Sequence, residues 1–247
     1  MGIDQKNGIQ IENLEIKYGN FTVIQDFTLS INKGEIVTLF GPSGCGKSTI
    51  LKAILNQISI SNGSILIDGT NAKDFALPLA YTPQANELLP WKTVKQNIEF
   101  WHNDTIQFMH KNSIKPMDVI ETIELTQQAD FMPSQLSGGM ERRTALARCM
   151  CTNSDFMFLD EAFVAVERRL RRKLMVDIRN AIKINNMTAL IISHDYEEAV
   201  FMSDRIIKLS ANPTAILKNH AVNLPNERTI DTFETQLFEK EILEMVF

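Results

Sequence analysis

Ile36-Val37-Thr38-Leu39-Phe40-Gly41-Pro42-Ser43-Gly44-Cys45-Gly46-Lys47-Ser48-Thr49 runs from an apolar segment through a glycine-rich loop into the start of a helix. The segment Ile36–Phe40 is apolar at nearly every position, which is typical of a strand buried on both faces of a sheet. The loop matches G-x-x-x-x-G-K-[ST], whose glycines let backbone N–H groups turn towards phosphate oxygens at a helix N-terminus. In this pattern Lys47 reaches the β and γ phosphates, and the Ser48 hydroxyl takes a place on Mg²⁺. The stretch therefore predicts a strand-loop-helix unit that binds phosphates.

Two more apolar runs, Phe156–Leu159 and Ala189–Ile192, have the character of buried parallel strands. Between them an apolar residue recurs every fourth position on an otherwise charged stretch, which predicts an amphipathic helix through Val166, Leu170, Leu174, Ile178 and Ile182. The alternation of buried strands and helices indicates an α/β fold.

The stretches on either side of these elements have different patterns. Short extended segments separated by turn signals are predicted at the N-terminal end, over Ile9–Ile16, Phe21–Ile24, Phe27–Ile31 and Glu35–Phe40. Residues 84–154 lack further sheet-like runs, which predicts a mostly helical insertion. The stretch Ile230–Phe247 is drawn either as an amphipathic helix through Phe233, Leu237 and Ile242 or as a loosely docked tail.

The composition excludes several classes of protein. The 247 residues carry 25 basic and 30 acidic side chains, and a net charge of −5 argues against a general polyanion binder. No run approaches the roughly 18–20 uncharged apolar residues of a membrane span, and the N-terminus does not resemble a secretion signal. Three cysteines are too few for a disulfide framework or a zinc site, and Cys45 is better explained as a small filler than as a redox switch. The cytoplasm is the expected compartment.

A dense basic cluster covers Glu167–Lys173. The apolar stripe of the same predicted helix places most of these charges on one solvated face, which is favoured over a nucleic-acid patch.

A second anion site is predicted at Leu136-Ser137-Gly138-Gly139-Met140-Glu141-Arg142-Arg143, which precedes an alanine-rich helical run. Ser137 can cap this helix, and Gly138 and Gly139 expose N–H groups at its positive end. A chain with two such helix ends either binds two ligands or shares each ligand with a neighbouring copy. The spacing leaves both alternatives open.

Acid–base chemistry is predicted at the ends of the second and third apolar runs. Asp160 ends one run, where a carboxylate can hold Mg²⁺ directly or through water. Glu161 follows and is the candidate general base that orients a water towards the γ-phosphate; the alternative is a solvated acidic pair. His194 follows the other run, and its Ser193-His194-Asp195 context favours contact with the γ-phosphate over a structural role.

Residues 9–217 together resemble an ATP-binding-cassette (ABC) ATPase subunit, because the motifs occur in that family's order. The resemblance implies a P-loop NTPase fold with a RecA-like, mostly parallel sheet, an N-terminal antiparallel β subdomain and an inserted α-helical subdomain. It implies one ABC ATPase domain over residues 1–247, with a core at about 9–217, the helical subdomain at about 85–154 and a tail at about 220–247.

The resemblance also implies roles for individual residues. Tyr18 takes the place of the aromatic that stacks on adenine, although a hairpin aromatic is the alternative. Gln84 matches the Q-loop glutamine that contacts the metal and the attacking water, so the metal ligands become Ser48, Gln84 and Asp160. Glu161 becomes the catalytic glutamate and His194 the switch histidine.

Family precedent places each ATP–Mg²⁺ between the Walker A loop Gly41–Thr49 of one subunit and the signature Leu136–Met140 of the other. A dimer follows by analogy, most simply a homodimer. Further implied partners are transmembrane permease subunits and a separate substrate-binding protein, with the chain peripheral on the cytoplasmic face of the membrane and no nucleic acid bound.

Three positions depart from the family pattern. Met140 replaces the signature glutamine, which removes the polar partner of a capping box. Ala162 stands where proline usually follows the glutamate, and Glu167 stands where the D-loop normally has aspartate. A catalytically weakened, regulatory nucleotide-binding subunit is therefore an alternative to an active ATPase.

Softer features resemble the nitrate, sulfonate, taurine and bicarbonate importer group: the short Walker A to Q-loop interval, Leu88–Val94, the LSGGM signature and Glu197-Glu198-Ala199. Phospholipid-trafficking cassettes are the alternative, since they share the signature followed by Arg142-Arg143. A soluble cassette that acts on ribosomes, DNA or cluster assembly is a third interpretation. Trp91, Phe100 and Trp101 are either core residues or part of the groove that receives a coupling helix of the membrane subunit.

Overall fold

The structure, a computed structural model, describes residues 8–19, 21–104, 115–211 and 214–246. The predictions for the N-terminal residues 1–7, for Asn20 of the first turn and for Phe247 lie outside these ranges. The chain forms two compact units, one from Met1–Ala76 and Thr188–Phe247 and the other from Leu77–Met187. No helix in the described ranges combines the length and apolar character needed to cross a membrane.

Ten strands and seven α-helices are described. In chain order they are β1 (Gly8–Tyr18), β2 (Phe21–Asn32), β3 (Ile36–Phe40), α1 (Lys47–Ile54), β4 (Asn62–Ile67), β5 (Thr70–Asn71), β6 (Ala80–Thr82), α2 (Val94–Asp104), α3 (Pro116–Thr122), α4 (Gly138–Cys151), β7 (Phe156–Asp160), α5 (Arg168–Ile184), β8 (Thr188–Ser193), α6 (Tyr196–Met202), β9 (Arg205–Leu209), β10 (Ile216–Ala221) and α7 (Gln236–Val246).

The first unit contains an antiparallel sheet of order β2-β1-β4-β5. The prediction of separate strands at Phe21–Ile24 and Phe27–Ile31 is wrong, since β2 is continuous. Asp26 adopts a left-handed φ of 49°, and the pairing of β1 with β2 shifts register between Ile11 and Leu14. An irregularity of this kind interrupts the alternation of apolar residues without ending the strand.

The first unit also contains the parallel strands that lead to the phosphate loop. Strand β3 pairs in parallel with β8 on one side and β9 on the other, and β10 pairs antiparallel with β9. Every residue of β3 and β8 is buried, as the two apolar runs predict. Phe40 and Ser193 are register partners, so the two strands end at the same edge.

The C-terminal segment packs within this unit, but the residues that it buries differ from the predicted ones. A 3₁₀ turn at Ile230–Glu234 precedes α7, and Phe233 stacks on Phe201 with ring centroids 4.0 Å apart. Phe238 is buried, whereas Leu237 is exposed, so the predicted stripe through Leu237 is wrong. Because α7 begins only after this turn, a helical period of 3.6 residues counted from Phe233 predicts the wrong buried face for α7.

The second unit contains the parallel pair β6 and β7 and four helices. Helix α4 packs against α2 and α3, and α5 buries Leu170, Leu174, Ile178 and Ile182 as predicted. Val166 does not belong to this stripe, because it lies in the turn before the helix starts at Arg168. Arg168, Arg169 and Lys173 are exposed, as expected for a solvated basic face.

Candidate nucleotide site

The phosphate loop connects β3 to α1 and depends on glycine at two positions. Gly44 and Gly46 have φ values of +77° and +96°, which favour glycine because other residues rarely adopt left-handed backbone. A Cβ on Gly46 would lie 2.6 Å from Oγ1 of Thr214 and 2.8 Å from Cδ1 of Ile24. Gly46 is therefore required both by the backbone conformation and by close packing.

Lys47 brings a positive charge into the curve of this loop. Its side chain is buried, and Nζ donates to the carbonyl oxygens of Gly41 at 2.7 Å and Pro42 at 2.8 Å. Pro42, Ser43 and Gly44 are exposed, and the loop ends at the N-terminus of α1. An ammonium group beside exposed backbone at a helix N-terminus is suited to bind a polyphosphate.

Thr214 supports the loop from a distant part of the chain and was not identified from the sequence. It is buried, and Oγ1 lies within donor range of the carbonyl oxygens of Val23 at 3.0 Å and Cys45 at 2.5 Å. Cys45 is itself buried, which agrees with its interpretation as a filler. No motif surrounds Thr214, so its role depends on a contact that the sequence does not encode locally.

His194 emerges at the edge of the sheet where the phosphate loop begins, because Phe40 and Ser193 are register partners. Oγ of Ser193 accepts a hydrogen bond from the Asp195 N–H at 3.0 Å, and Oδ1 of Asp195 accepts one from the Glu198 N–H at 3.0 Å. The two neighbours of His194 thus fix the turn into α6, while His194 itself is exposed. His194 therefore follows β8 at the edge where the phosphate loop begins, and its contact with a γ-phosphate stays a prediction.

Tyr18 lies at the end of β1, opposite Phe21 of β2. The side chains are 55% and 56% exposed, so neither aromatic is part of the core of the sheet. An exposed aromatic at a strand end is available to stack on a planar base.

The second unit brings together the predicted glutamine and the two carboxylates. Asp160 ends β7 with its side chain 1% exposed, and Glu161 follows with a left-handed φ of 48°. Gln84 follows β6, and its Nε2 donates to Oε2 of Glu161 at 3.5 Å. Because β6 and β7 are parallel, both residues lie at the carboxyl ends of neighbouring strands.

Tyr81 of β6 shows that this strand edge is poorly solvated and acidic. Burial is the main cause that raises the pKa of Tyr81 to about 12; the carboxylates of Asp160 and Glu87 contribute to this rise, and Arg142 opposes it. The phenol therefore stays protonated at neutral pH and does not act as a base.

The predicted second anion site has a capped helix end. Oγ of Ser137 accepts from the Met140 N–H at 3.3 Å, and the Ser137 N–H donates to Sδ of Met140 at 3.5 Å. The prediction that Met140 removes the capping-box partner is wrong, since a thioether sulfur is a weak acceptor and occupies that place.

The two signature glycines differ in their surroundings. A Cβ on Gly139 would lie 3.0 Å from the carbonyl oxygen of Ala165, whereas one on Gly138 would meet no described atom within 4 Å. Gly138 therefore leaves the backbone at the helix start accessible to a ligand, and Gly139 permits close packing of the helix.

Comparison with known proteins shows the family to which the chain belongs. The profile of the ABC transporter family matches residues 24–164. The spermidine/putrescine import ATP-binding protein PotA of Haemophilus influenzae is 33% identical over 254 residues, covering 98% of this chain and 67% of its own. The aliphatic sulfonates import ATP-binding protein SsuB of Bacillus licheniformis is 33% identical over 231 residues, covering 92% and 89%.

Solved structures agree on the fold. The dimeric bacterial ABC transporter cassette MJ0796 matches with a TM-score of 0.75 at 24% identity, over 88% of this chain and 100% of that one. Its post-hydrolysis dimer bound to ADP and Pi matches with a TM-score of 0.74 at 23% identity. The chain belongs to the ABC transporter family and is an ATP-binding-cassette ATPase by class. The predicted family and the predicted P-loop NTPase fold are both confirmed.

The relatives differ in length and in the cargo that their names state. The chain spans 56–69% of the length of the PotA proteins it matches, against 89% of SsuB. One name refers to polyamines and the other to sulfonates, so the predicted nitrate, sulfonate or taurine specificity is not confirmed.

Proposed function

We propose that this chain is the ATP-binding and ATP-hydrolysing subunit that energises a membrane importer. The observation that carries the proposal is the phosphate loop, in which the buried ammonium of Lys47 lies beside exposed backbone at the start of α1. The relatives named as import ATP-binding proteins support the coupling to import.

The candidate site residues of both units have defined roles in this proposal. Gly41–Thr49 cradles the phosphates, and Tyr18 stacks on adenine. Glu161 accepts a proton from the attacking water. Gln84 donates a hydrogen bond to the Glu161 carboxylate and so helps to orient that carboxylate towards the water. His194 donates to the γ-phosphate and distinguishes ATP from ADP. The protein thus acts by positioning and charge neutralisation, as in phosphoryl transfer generally.

The donor set that we propose for Mg²⁺ consists of the Ser48 hydroxyl, the Asp160 carboxylate and the Gln84 side-chain carbonyl. These are hard oxygen donors of the kind that Mg²⁺ prefers, so these residues would hold the ion. Asp160 and Gln84 lie at the carboxyl ends of the parallel strands β7 and β6, so two of these oxygen donors share one strand edge. The bound ion would neutralise charge on the β and γ phosphates.

We propose a homodimer in which Ser137, Gly138 and Gly139 of one copy cover the nucleotide held by the other. The accessible backbone at Gly138 and the positive end of α4 support this arrangement. Closure on ATP and opening after hydrolysis would then drive the permease subunits, with a separate substrate-binding protein delivering cargo.

Aromatic residues after Gln84 are candidates for the permease contact. Trp91 is 69% exposed, and Phe100 of α2 is exposed as well. Trp101, in contrast, is half-buried with the Arg148 guanidinium 5.0 Å from its ring centre, so it belongs to the packing of the unit. Trp91 is therefore the anchor that we propose for a coupling helix of the permease. The subunit would then be held on the cytoplasmic face of the membrane. The proposal gives nucleic acid no role.

For the cargo we propose a small anion or organic solute of the nitrate, sulfonate or taurine type, which the similarity to SsuB supports. The alternatives are phospholipid traffic and a weakened regulatory subunit, the latter favoured by Ala162 and Glu167. Turnover measured in membranes with the permease distinguishes an active subunit from a regulatory one.

The proposal is tested by calorimetry and by turnover of purified protein. Lys47→Ala should abolish binding of Mg-ATP, whereas Lys52→Ala, on the exposed face of the same helix, should bind like the parent. Glu161→Gln should keep ATP binding, lose most hydrolysis and accumulate an ATP-bound dimer in size-exclusion chromatography. Binding by Lys47→Ala at parental affinity would reject the nucleotide site, and unchanged turnover of Glu161→Gln would reject the base.

A further inference from the structure

Arg142 lies in the second turn of α4 and is almost completely buried, with 4% of its surface exposed. Its guanidinium group donates to backbone carbonyl oxygens of two separate segments. Nη1 donates to Pro83 at 2.5 Å and Gln84 at 3.3 Å, and Nη2 donates to Asp160 and Glu161, each at 2.7 Å. Nε donates to Ala162 at 2.9 Å. One side chain therefore connects the start of the signature helix to the backbone of both Gln84 and Glu161.

The acceptors explain how a cation is accommodated here. Pro83 and Gln84 follow β6, and Asp160 ends β7, so these carbonyl groups lie at the carboxyl ends of two parallel strands. A buried charge is costly unless it is hydrogen-bonded, and converging carbonyl dipoles provide that compensation. The planar fork of five N–H donors matches acceptors on two sides, which an ammonium group cannot do from one point.

The conformation of Glu161 gives this contact a specific consequence. Its φ of 48° is uncommon for a residue with a side chain and costs energy unless the surroundings hold it. Arg142 binds the carbonyl oxygens of Asp160, Glu161 and Ala162, that is, on both sides of the strained residue. The direction in which the Glu161 carboxylate leaves the backbone therefore depends on Arg142.

We propose that Arg142 is a positioning residue for ATP hydrolysis, which fixes Gln84 and Glu161 relative to each other and links both to the signature helix. The proposal rests on the proposed function, because it takes Glu161 as the base. Without the guanidinium fork the contact between Nε2 of Gln84 and Oε2 of Glu161 is lost, while the phosphate loop in the other compact unit remains intact. The loss of kcat should therefore be much larger than any loss of nucleotide affinity.

The neighbouring Arg143 provides a matched control. Arg143 follows on the same helix, but its Nη1 donates to the carbonyl oxygen of Ile123 at 2.7 Å, near the end of α3. Replacing Arg143 removes the same charge and a carbonyl contact without touching Gln84 or Glu161. Arg143→Gln should therefore retain parental kcat.

The experiment measures steady-state ATPase activity and Mg-ATP affinity for Arg142→Gln, Arg142→Lys and Arg143→Gln. Displacement of reacting groups by about 1 Å costs on the order of 100-fold, so Arg142→Gln should lower kcat about 10- to 100-fold with the dissociation constant of Mg-ATP changed less than about threefold. Arg142→Lys keeps the charge but loses the fork, and its kcat should be intermediate. In a double variant with Gln84→Ala the two losses should combine to less than their product, because both act on one arrangement.

The outcomes separate this proposal from the assignment of the base. If Glu161→Gln abolishes turnover while both Arg142 variants keep parental kcat, the positioning role of Arg142 is wrong and the base assignment stands. If Glu161→Gln keeps parental turnover, both are wrong. Should Arg142→Gln not fold, Arg142→Lys decides: lower kcat at parental affinity supports the proposal, and parental kcat or a loss of affinity equal to the loss of kcat overturns it.

Discussion

The side-chain amide of Gln84 donates to Oε2 of Glu161 across 3.5 Å. The two residues lie at the carboxyl ends of the parallel strands β6 and β7. These strands are distant in sequence, since β6 ends at Thr82 and β7 begins at Phe156. The contact joins an exposed glutamine to the candidate base. It holds the carboxylate in one direction without neutralising its charge, because the donor is an uncharged amide.

Gln84→Ala should therefore lower kcat about tenfold or more, since the carboxylate loses an orienting donor. Because Gln84 is also a proposed Mg²⁺ ligand, the affinity for Mg-ATP should fall as well, but by a smaller factor than kcat. Steady-state kinetics with parallel calorimetry measure the two quantities. Gln127→Ala, an exposed glutamine of the same unit, serves as the control and should behave like the parent. A parental kcat for Gln84→Ala would contradict the role of this contact.

Thr214→Val removes the hydroxyl that lies between the carbonyl oxygens of Val23 and Cys45 but keeps the shape of the side chain. The Val23 carbonyl oxygen still accepts from the Thr214 N–H, but the Cys45 carbonyl oxygen loses this donor. Leaving a buried acceptor without a donor costs about 1–3 kcal/mol, and the loop that holds Lys47 should loosen. We expect weaker binding of Mg-ATP by several fold, together with a lower free energy of unfolding in urea.

The control for this variant is Thr122→Val in α3, where the hydroxyl donates to the Asp118 carbonyl oxygen four residues earlier. Thr122→Val also removes a threonine hydroxyl, but Thr122 is distant in sequence from the phosphate loop. ATP affinity should therefore stay unchanged. Equal effects of the two substitutions on affinity would show that Thr214 does not support the loop.

Met140→Leu tests the sulfur acceptor at the start of α4, because leucine has a similar volume but no acceptor for the Ser137 N–H. A weak acceptor at an exposed position should contribute less than about 1 kcal/mol, so the loss of stability should be small. Ser137→Ala removes the side-chain cap of the Met140 N–H and should cost more, typically about 1 kcal/mol. The free energy of unfolding in urea compares the two variants, and a larger loss for Met140→Leu than for Ser137→Ala would contradict this prediction.

Phe233→Ala should destabilise the protein far more than Leu237→Ala. Phe233 is buried and stacks on Phe201, and removal of such a ring typically costs about 3–5 kcal/mol. Leu237 is exposed, and exposed substitutions usually stay within about 0.5 kcal/mol. Urea denaturation measures the free energy of unfolding of both variants. Equal values would show that the C-terminal tail is only loosely docked.

The parts of the candidate site that the sequence predicted are those whose chemistry is local. Gly41–Thr49 contains its own turn, lysine and helix start, and Ser137 caps α4 through the Met140 N–H three residues later. The buried strands β3 and β8 could likewise be predicted, since continuous apolar runs are visible without knowledge of their neighbours. His194 follows one of these runs, so its position at the edge of a sheet followed from the sequence as well.

The residues that were missed act through contacts between distant segments. Thr214 reaches Cys45 across 169 residues, and Arg142 reaches Pro83 across 59. Neither contact leaves a periodic signal, because the acceptors are backbone carbonyl groups that every residue carries. The incorrect phase at Leu237 has a related cause, since the 3₁₀ turn that shifts it is fixed by the packing of Phe233 on Phe201.

The amino-acid sequence alone determined the family, the phosphate loop and the identity of the candidate acid–base residues, because each depends on residue types at short, fixed spacing. Tertiary structure alone decided that Met140 replaces a polar capping partner through its sulfur, that Thr214 supports the loop, and that Arg142 holds the backbone of Gln84 and Glu161. These depend on which carbonyl and amide groups the fold brings within hydrogen-bonding distance, and that is set by the packing of strands and helices far apart in the chain.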